Sequence, residues 1–598
     1  MNDARAEMCF AAGLLVASVV VCLPVILSGG DWGFWDWDIF LSNLEAARIS
    51  VVSFGQAPGW NPYLRGGEGL AAHPMLPLAS PAFLGVLGFG TLPGVKIWIV
   101  ARQFIALFGA YWLGRRLGFG RWGAITVSVV FGLASTYGQR VGHGHWNLQA
   151  FVYLPLLVAA GLDAVRSGGW RSRALAGATL SLMFLDGGPY TFALGVLGVG
   201  AALAVGIGRG AWRSALAGTA VVGVLALSLS AVKLFPVFET WSGFEARGGG
   251  RLLDFYDPDF VPSSGEFLHA ALLNREQSNR PGRFATFHIN VGAYVGVLGL
   301  LLVAVGLVGS RVARLALLLG LPVLWLSLGS SPSLSLWEFL HRLPVGRSMT
   351  VPAKFTPGYL LALAVAAGAG VEVLRRWLAS RPRLRWVPAV LVFGLVVDLV
   401  LVSRPLFGHA FPIAPIPLKP GPFHQVRHSP FEAAYFERVK LRVGVRPFSN
   451  VPRHSLTANL PAVRSNLGVL DTDAGTRTLT PVRARPDPGA QLAVVHRSLV
   501  PGAAPRLLRW SPNELRIEVD PRRGGRLVVN QNHHRGWIAS GAGRALRVVP
   551  HSSGLLAVEL EPGVSEVELR FRSIPARWGA GVSLVAAGAA AAMGTRRS

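Results

Sequence analysis

The sequence predicts a polytopic α-helical membrane protein of about 12 transmembrane helices with a C-terminal extracytoplasmic β-rich, sandwich-like domain. Three observations predict it. Hydrophobic residues fill 51% of the 598 positions, charged residues only 15%, and the mean hydropathy is +0.44; a soluble chain of this length needs more charge to cover its surface. Apolar runs near the bilayer-spanning length of about 20 residues recur through the first two thirds of the chain. Beyond residue 404 the pattern changes to proline- and arginine-rich sequence, followed by short alternating segments such as "GRLVVNQ", "GLLAVELEPG" and "SEVELRFRS" with turn residues between them.

Taken in order, apolar spans are expected near 8–28, 76–92, 95–114, 121–138, 147–164, 173–186, 189–207, 214–236, 290–308, 314–329, 355–374, 386–403 and 576–593. The first is read as a retained helix rather than a cleaved signal. Both cysteines, Cys9 and Cys22, fall within it, match no metal spacing and are expected to face lipid or core. The connectors "GRRLGFGR" (114–121), "RSGGWRSR" (166–173), "GRGAWR" (208–213), "SRVAR" (310–314), "RRWLASRPRLR" (375–385) and the terminal "RR" are rich in arginine. The positive-inside rule puts all of them on the cytoplasmic side, with both termini. That arrangement requires one of the stretches 76–92 and 95–114 not to cross. The first, interrupted by prolines and glycines, is the interfacial or re-entrant one. The division is then a transmembrane unit at 1–404 (with a first outer loop at 29–94), an extracytoplasmic β-rich unit at 405–575, and a final helix with its cytoplasmic tail at 576–598.

The formal net charge is +26. The basic residues are nearly all arginine, and many of them sit in short connectors between apolar runs, which is a topology signal more than a nucleic-acid stripe, so no nucleic-acid partner is expected. No phosphate-cradling glycine loop, dinucleotide fingerprint or nucleophile elbow occurs.

Polar groups collect in the outer loops, where side chains near membrane depth face a water-filled cavity or one another. "GDWGFWDWDIF" (30–40) carries Asp31, Asp36 and Asp38 beside Trp32, Trp35 and Trp37. The indoles are expected in the interfacial belt. "DIFLSNLEAARISVVSF" begins an amphipathic helix that an aspartate could cap while reaching a cavity. Glu68 and His73 close the loop in "WNPYLRGGEGLAAHP", His143 and His145 occupy "GQRVGHGHWN", Asp186 interrupts an apolar run in "LDGGPY", and Arg347 and Lys354 flank a helix start in "GRSMTVPAKF". Plain readings stand beside these: a turn for Asp186, snorkelling for Lys354, and hydrogen bonding rather than metal ligation for two histidines spaced i, i+2. "NQNHHRGW" reads as a turn with a buried tryptophan, or else a carbohydrate-stacking patch.

The first outer loop from "WDWDIF" through "GWNPYLRGGEGLAAHP" to "LASP" resembles that of YfhO-type bacterial membrane proteins, within the GT-C superfamily of glycosyltransferases. So do "GHWNLQAFVYLPLL", "NVGAYVGVLGLLL", "LPVGRSMTVPAKF" and the C-terminal "LVVNQNHHRGWIASGAGRALRVV". The resemblance implies a GT-C-like fold in a bacterial cytoplasmic membrane. It also implies an enzyme that moves a sugar from a polyprenyl-phosphate donor to an envelope glycan, lipid or protein acceptor on the outer face. The family's catalytic base, an acidic residue in the first loop, falls on Asp38, with Asp36 as its rival. Glu68, His73, His143, His145, Asp186, Arg347 and Lys354 are the substrate-binding candidates. This sequence has "DWD" where some relatives carry an Asp-Glu pair, which leaves a divalent cation open as cofactor. The alternatives are a non-catalytic envelope-assembly component or a lipid-linked saccharide transporter. Transport wants mid-span charges on several helices, whereas Asp163, Lys233 and Asp398 sit near span ends.

Overall fold

A computed structural model describes residues 2–33, 36–166, 169–248, 264–275, 292–329, 334–343, 346, 349, 351–415, 425–427, 459–469, 492–495, 505–520, 522 and 524–595. Among these, eight helices are long and apolar enough to cross a membrane: Glu7–Ile26, Thr91–Arg116, Trp146–Arg166, Pro189–Gly208, Trp212–Leu229, Pro352–Trp377, Pro382–Phe407 and Ile574–Thr595. A ninth candidate is the pair Gly296–Gly309 and Arg311–Ser327, which bends by 113° at its break. The chain is therefore built as a multi-pass helical bundle.

The stretch at 76–92 is short, as the non-crossing reading expects, and two expected spans are broken. Residues 81–89 make a nine-residue helix, Pro81–Phe89, capped by the Ser80 side chain; at about 1.5 Å per residue it covers under half of a bilayer core. The run near 121–138 divides into Arg121–Leu133 and Ser135–Gly142, because Ala134 takes an extended conformation between them. The run near 173–186 is the helix Trp170–Leu182 followed by a π-turn, Met183–Gly187. Single backbone positions that hydropathy counting averages over mark these breaks: Ala134 in the first case and Gly188, at φ +115°, after the π-turn in the second.

Helices approach closely where small residues line their contacts. A Cβ on Gly370 would lie 1.9 Å from the Leu302 carbonyl oxygen, and one on Gly306 would lie 2.2 Å from that of Ala366. Only glycine permits this approach of Gly296–Gly309 to Thr356–Trp377. Arginine connectors meet at one end of the bundle: Arg116 pairs with Asp163, Arg166 donates to the Arg116 carbonyl, Arg171 to the Gly594 carbonyl, and Gly120 lies against Arg375. Cys22 is buried and Cys9 exposed.

At the other end stands a β-sandwich. Its strands are β5 (Leu492–Val495), β6 (Arg506–Ser511), β7 (Glu514–Glu518), β8 (Gly525–Asn532), β9 (Trp537–Gly541), β10 (Arg544–Leu546), β11 (Val548–Pro550), β12 (Leu555–Leu560) and β13 (Glu566–Phe571), counted after the short β1 (Trp60–Asn61), β2 (Glu68–Gly69), β3 (Gln425–Arg427) and β4 (Leu467–Val469). One sheet has the order β10-β9-β13-β7-β6 and the other β11-β12-β8-β5. Alternation in "EVELRF" sends Val567 and Leu569 inward, and leaves Glu566 outside to pair with Arg516 on β7 at 2.9 Å.

The sandwich core borrows a residue from the segment between the first helix and Pro81–Phe89. Trp60 is 1% exposed and packs against Phe571 at 5.0 Å, tilted, and Trp537 at 5.6 Å, edge to face, between ring centroids. Its indole donates to Gln531 Oε1 (3.1 Å), and its backbone amide donates to Asn513 Oδ1 (2.8 Å). Asn532 returns bonds to the carbonyls of Arg65 and Gly67. The "NHHRGW" segment is thus a turn with a buried tryptophan, Trp537 being 2% exposed.

The tryptophans of "GDWGFWDWDIF" correct the interfacial-belt expectation. Trp32 and Trp37 are 1% and 0% exposed. Trp37 donates to the Val141 carbonyl at 2.7 Å and packs on Phe411 and Trp146, while Trp32 pairs as an isolated bridge with Ile413. Trp35 lies outside the described residues. The helix expected to be amphipathic, Asp36–Val52, is buried around most of its circumference, including Trp37, Leu41, Asn43, Leu44 and Ala47. The segments at 60–70 and 459–464 cover the face that would otherwise meet water.

Candidate functional site

The helix Asp36–Val52 begins against the loop between Ser135–Gly142 and Trp146. Gly144 there has φ +77°, and a Cβ on it would sit 2.3 Å from the Trp37 backbone nitrogen. The glycine spacing of "GHGH" therefore lets this loop lie directly on the helix N-terminus. The Trp37 indole bond to Val141 locks the two together.

This packing brings Asp36 to His145, with 3.8 Å between the Asp36 carboxylate and His145 Nε2; the Asp36 side chain keeps 46% of its exposure. Arg140, itself 1% exposed, approaches His145 Nδ1 with one guanidinium nitrogen at 3.4 Å. Arginine can only donate, so Nδ1 accepts and the ring proton sits on Nε2, facing Asp36. Burial and the charges of Arg140, His143 and Lys354 hold the His145 imidazole well below its ordinary pKa, so it is neutral at pH 7. His143 Nδ1 donates to the Gln139 carbonyl at 2.9 Å, and burial lowers its pKa to about 4. Lys354, at the start of the Pro352–Trp377 span, places its ammonium 4.4 Å from the centre of the Tyr190 ring.

Of the residues predicted from sequence, Asp36, His143, His145 and Lys354 are thus brought together from three separate segments. The others are not. Asp38 is 2% exposed, and its two carboxylate oxygens accept the backbone amides of Asn459 (2.9 Å) and Leu460 (3.0 Å). It caps the short helix Asn459–Arg464, which Arg464 also ties to Asp31. Asp186 is fully buried in the π-turn. Arg102 grips it at 2.8–2.9 Å, and Ser80, Trp98 and Tyr153 donate to it as well. Those donors leave no face for a substrate, and the pair is an internal tie between helices. Glu68 faces Arg65 at 3.9 Å on the rim of the Trp60 loop. His73 accepts the Met75 amide, and burial with Arg65 and Lys233 nearby lowers its pKa to about 3. Arg347 lies outside the described residues.

Two features escaped the sequence reading. Arg140, in the helix Ser135–Gly142, falls in a stretch that the sequence reading expected to lie in an outer loop, where the positive-inside rule leaves few arginines, and that exception was its signal. Arg102, within the Thr91–Arg116 span, needed a buried acid, and Asp186 interrupting another apolar run was its match.

An apolar cavity of about 170 Å³ opens among helices Leu154–Arg166, Pro189–Gly208, Arg311–Ser327 and Thr356–Trp377. Its lining includes Leu194, Gly198, Ala201, Val323, Gly358 and Leu361, and it ends at Arg166 and Arg209. Leu194 and Gly358 lie one helical turn from Tyr190 and Lys354, so the groove starts beneath the ammonium. From Leu194 to Arg209 it follows about 22 Å of helix. Among the described residues no three His, Cys, Asp or Glu side chains converge.

No protein-family model matches the chain, and no curated protein matches it by sequence. Similar solved structures include the arabinofuranosyltransferase AftD from mycobacteria, with 15% identity and a TM-score of 0.46 over 77% of this chain and 31% of that one. Another is the archaeal oligosaccharyltransferase AglB from Archaeoglobus fulgidus in complex with an inhibitory peptide and a dolichol-phosphate, at 10% identity and 0.38 over 76% and 60%. A third is ArnT from Cupriavidus metallidurans bound to undecaprenyl phosphate, at 14% and 0.37 over 67% and 76%. The chain spans less than a third of the AftD length. At these scores no residue-by-residue correspondence follows.

Proposed function

We propose that this chain is a membrane glycosyltransferase. In this reading it takes a sugar from a polyprenyl-phosphate donor and places it on a hydroxyl of an envelope acceptor at the outer face of a bacterial cytoplasmic membrane. The observation that carries the reading is the juxtaposition of two unlike surfaces. An apolar groove suited to an isoprenoid chain ends one turn from Lys354, and Lys354 lies near enough to His145 to act on its charge, while Arg140 and Asp36 flank that imidazole.

The chemistry is a single displacement. The acceptor oxygen attacks the anomeric carbon and its proton passes to Asp36. The bond from the anomeric carbon to the phosphate oxygen breaks, and its electron pair leaves on the lipid phosphate. The Lys354 ammonium and the His145 Nε2–H favour that leaving charge, and the buried Arg140 guanidinium supports it from behind, through the His145 ring. Inversion at the anomeric carbon is the simplest outcome where a single carboxylate acts, because it needs no covalent intermediate. The base role thereby moves from Asp38 to its neighbour Asp36, since both Asp38 oxygens serve the Asn459–Arg464 helix.

The test is incorporation of radiolabelled sugar from a panel of polyprenyl-phosphate sugars into envelope acceptors, using membranes with and without the protein. Protein-dependent incorporation that Asp36→Asn abolishes at equal protein level supports the reading. No incorporation from any donor sinks it.

A further inference from the structure

A second cavity, of about 420 Å³, lies where three pieces of the chain meet: the first outer loop at Gln56–Gly59, strands β7 and β13, and the start of the final helix. Arg570, Arg572 and Arg577 line it, with Ser573, Ala576 and Ala580. Glu514 is the acid in the lining, and it is already engaged by Arg570 at 3.8 Å, which also holds Glu568 at 2.6 Å. Arg572 and Arg577 make no side-chain ion pair or hydrogen bond among the described residues. Two guanidinium groups therefore face an open cavity without a counter-charge.

The position of the cavity is fixed by chain continuity. Strand β13 ends at Phe571 and the membrane-length helix starts at Ile574, so residues 572–580 sit where the sandwich passes into the bilayer. Trp578, 72% exposed, points outward at that level, and Leu584 and Val585, at 73% and 76%, follow it toward lipid. The cavity has a cationic rim and a floor of small apolar residues. Ala576 and Ala580, one turn apart, carry that floor down the helix.

We propose that this cavity binds the phosphate of an anionic lipid headgroup, with Arg572 and Arg577 on the phosphate and the glycerol end of the lipid against Ala576 and Ala580. Guanidinium groups match phosphate oxygens in bidentate geometry. The apolar floor running into the bilayer suits an amphiphile, where a free phosphate would need polar groups on all sides. The bound lipid ties the sandwich, and with it the Trp60 loop, to the membrane surface. The inference rests on the last helix crossing the bilayer and is independent of the transferase reading.

The experiment titrates the full-length protein, purified in zwitterionic detergent, with phosphatidylglycerol or phosphatidylcholine of identical acyl chains, read by native mass spectrometry. Phosphatidylglycerol is expected to bind on the order of tenfold more tightly. Arg572→Gln with Arg577→Gln abolishes that preference, whereas Arg509→Gln with Arg544→Gln, the same charge change elsewhere on the sandwich, leaves it intact. Arg572→Lys with Arg577→Lys retains most of it, and decides the matter should the glutamine pair fail to fold. Equal lipid preference in the glutamine pair and wild type, or equal loss in the control pair, overturns the proposal. So does displacement of the lipid by glycerol 3-phosphate or inorganic phosphate at equal concentration, which marks a free-phosphate site.

Discussion

Replacing Asp38 separates a structural from a catalytic account of the "DWD" motif. In the structure its carboxylate accepts the amides of Asn459 and Leu460 at 2.9 and 3.0 Å, in a place 2% exposed. A hydrogen bond to a charged acceptor contributes about 1.5–3 kcal/mol, so the pair contributes roughly 3–6 kcal/mol to keeping the Asn459–Arg464 helix on the first outer loop. Asp38→Ala also strands two buried amides. Local opening there is expected to become at least about a hundredfold more frequent, at ~1.4 kcal/mol per factor of ten. Hydrogen exchange followed by mass spectrometry on the peptide spanning 459–464 reads this directly, with trypsin sensitivity at Arg464 as a second probe. Asp38→Asn keeps one acceptor oxygen and is expected to show about half the effect in free energy. Unchanged exchange at 459–464 in Asp38→Ala refutes the capping assignment, and returns Asp38 to candidacy as the base.

Other consequences follow from the same contacts. Trp60→Ala empties the end of the sandwich core and is expected to cost about 3–5 kcal/mol, read as loss of protease resistance in the 505–571 region. Ala201→Phe fills the apolar groove without touching the polar cluster; it is expected to raise the KM for long-chain donors at least about tenfold while sparing short-chain analogues. His143 holds a pKa of about 4 when folded against 6.5 when exposed. Its contribution is constant above about pH 6.5, is lost as pH falls from 6.5 toward 4, and levels off below that, for a total of about 3 kcal/mol. His143→Asn should flatten that acid limb in a denaturant-stability series from pH 7 to 4, measured by tryptophan fluorescence.

How much of this was legible in the sequence varies with the kind of signal. Long apolar runs and alternating strands survive as one-dimensional patterns, so the spanning helices from Thr91–Arg116 to Ile574–Thr595 and the strands of "GLLAVELEPG" and "SEVELRFRS" were readable. Whether an apolar run crosses unbroken depends on single residues, as at Ala134 and in the π-turn at 183–187, and hydropathy averages over these. The outer-loop polar residues were visible as a set, but their sorting was not. Asp36 and Asp38 are two positions apart and look alike on paper. Helical geometry turns one toward His145 and the other toward the amides of Asn459 and Leu460, more than 400 residues away in the chain. Likewise nothing local marks Trp60 as a core residue, because its socket in the sandwich is assembled from Gln531, Trp537 and Phe571. Long-range partners of this kind leave no local mark.

The central claim is that Asp36, not Asp38, takes the acceptor proton beside a lipid-phosphate leaving group. Its most direct test is the rate of sugar transfer per folded molecule, in reconstituted vesicles, for Asp36→Asn and Asp38→Asn side by side. The account predicts that Asp36→Asn lowers kcat by at least about a hundredfold with donor KM little changed, as loss of a general base does. It predicts that Asp38→Asn lowers the folded fraction while each folded molecule keeps its rate within about tenfold. A wild-type rate from Asp36→Asn, or a dead but fully folded Asp38→Asn, contradicts it.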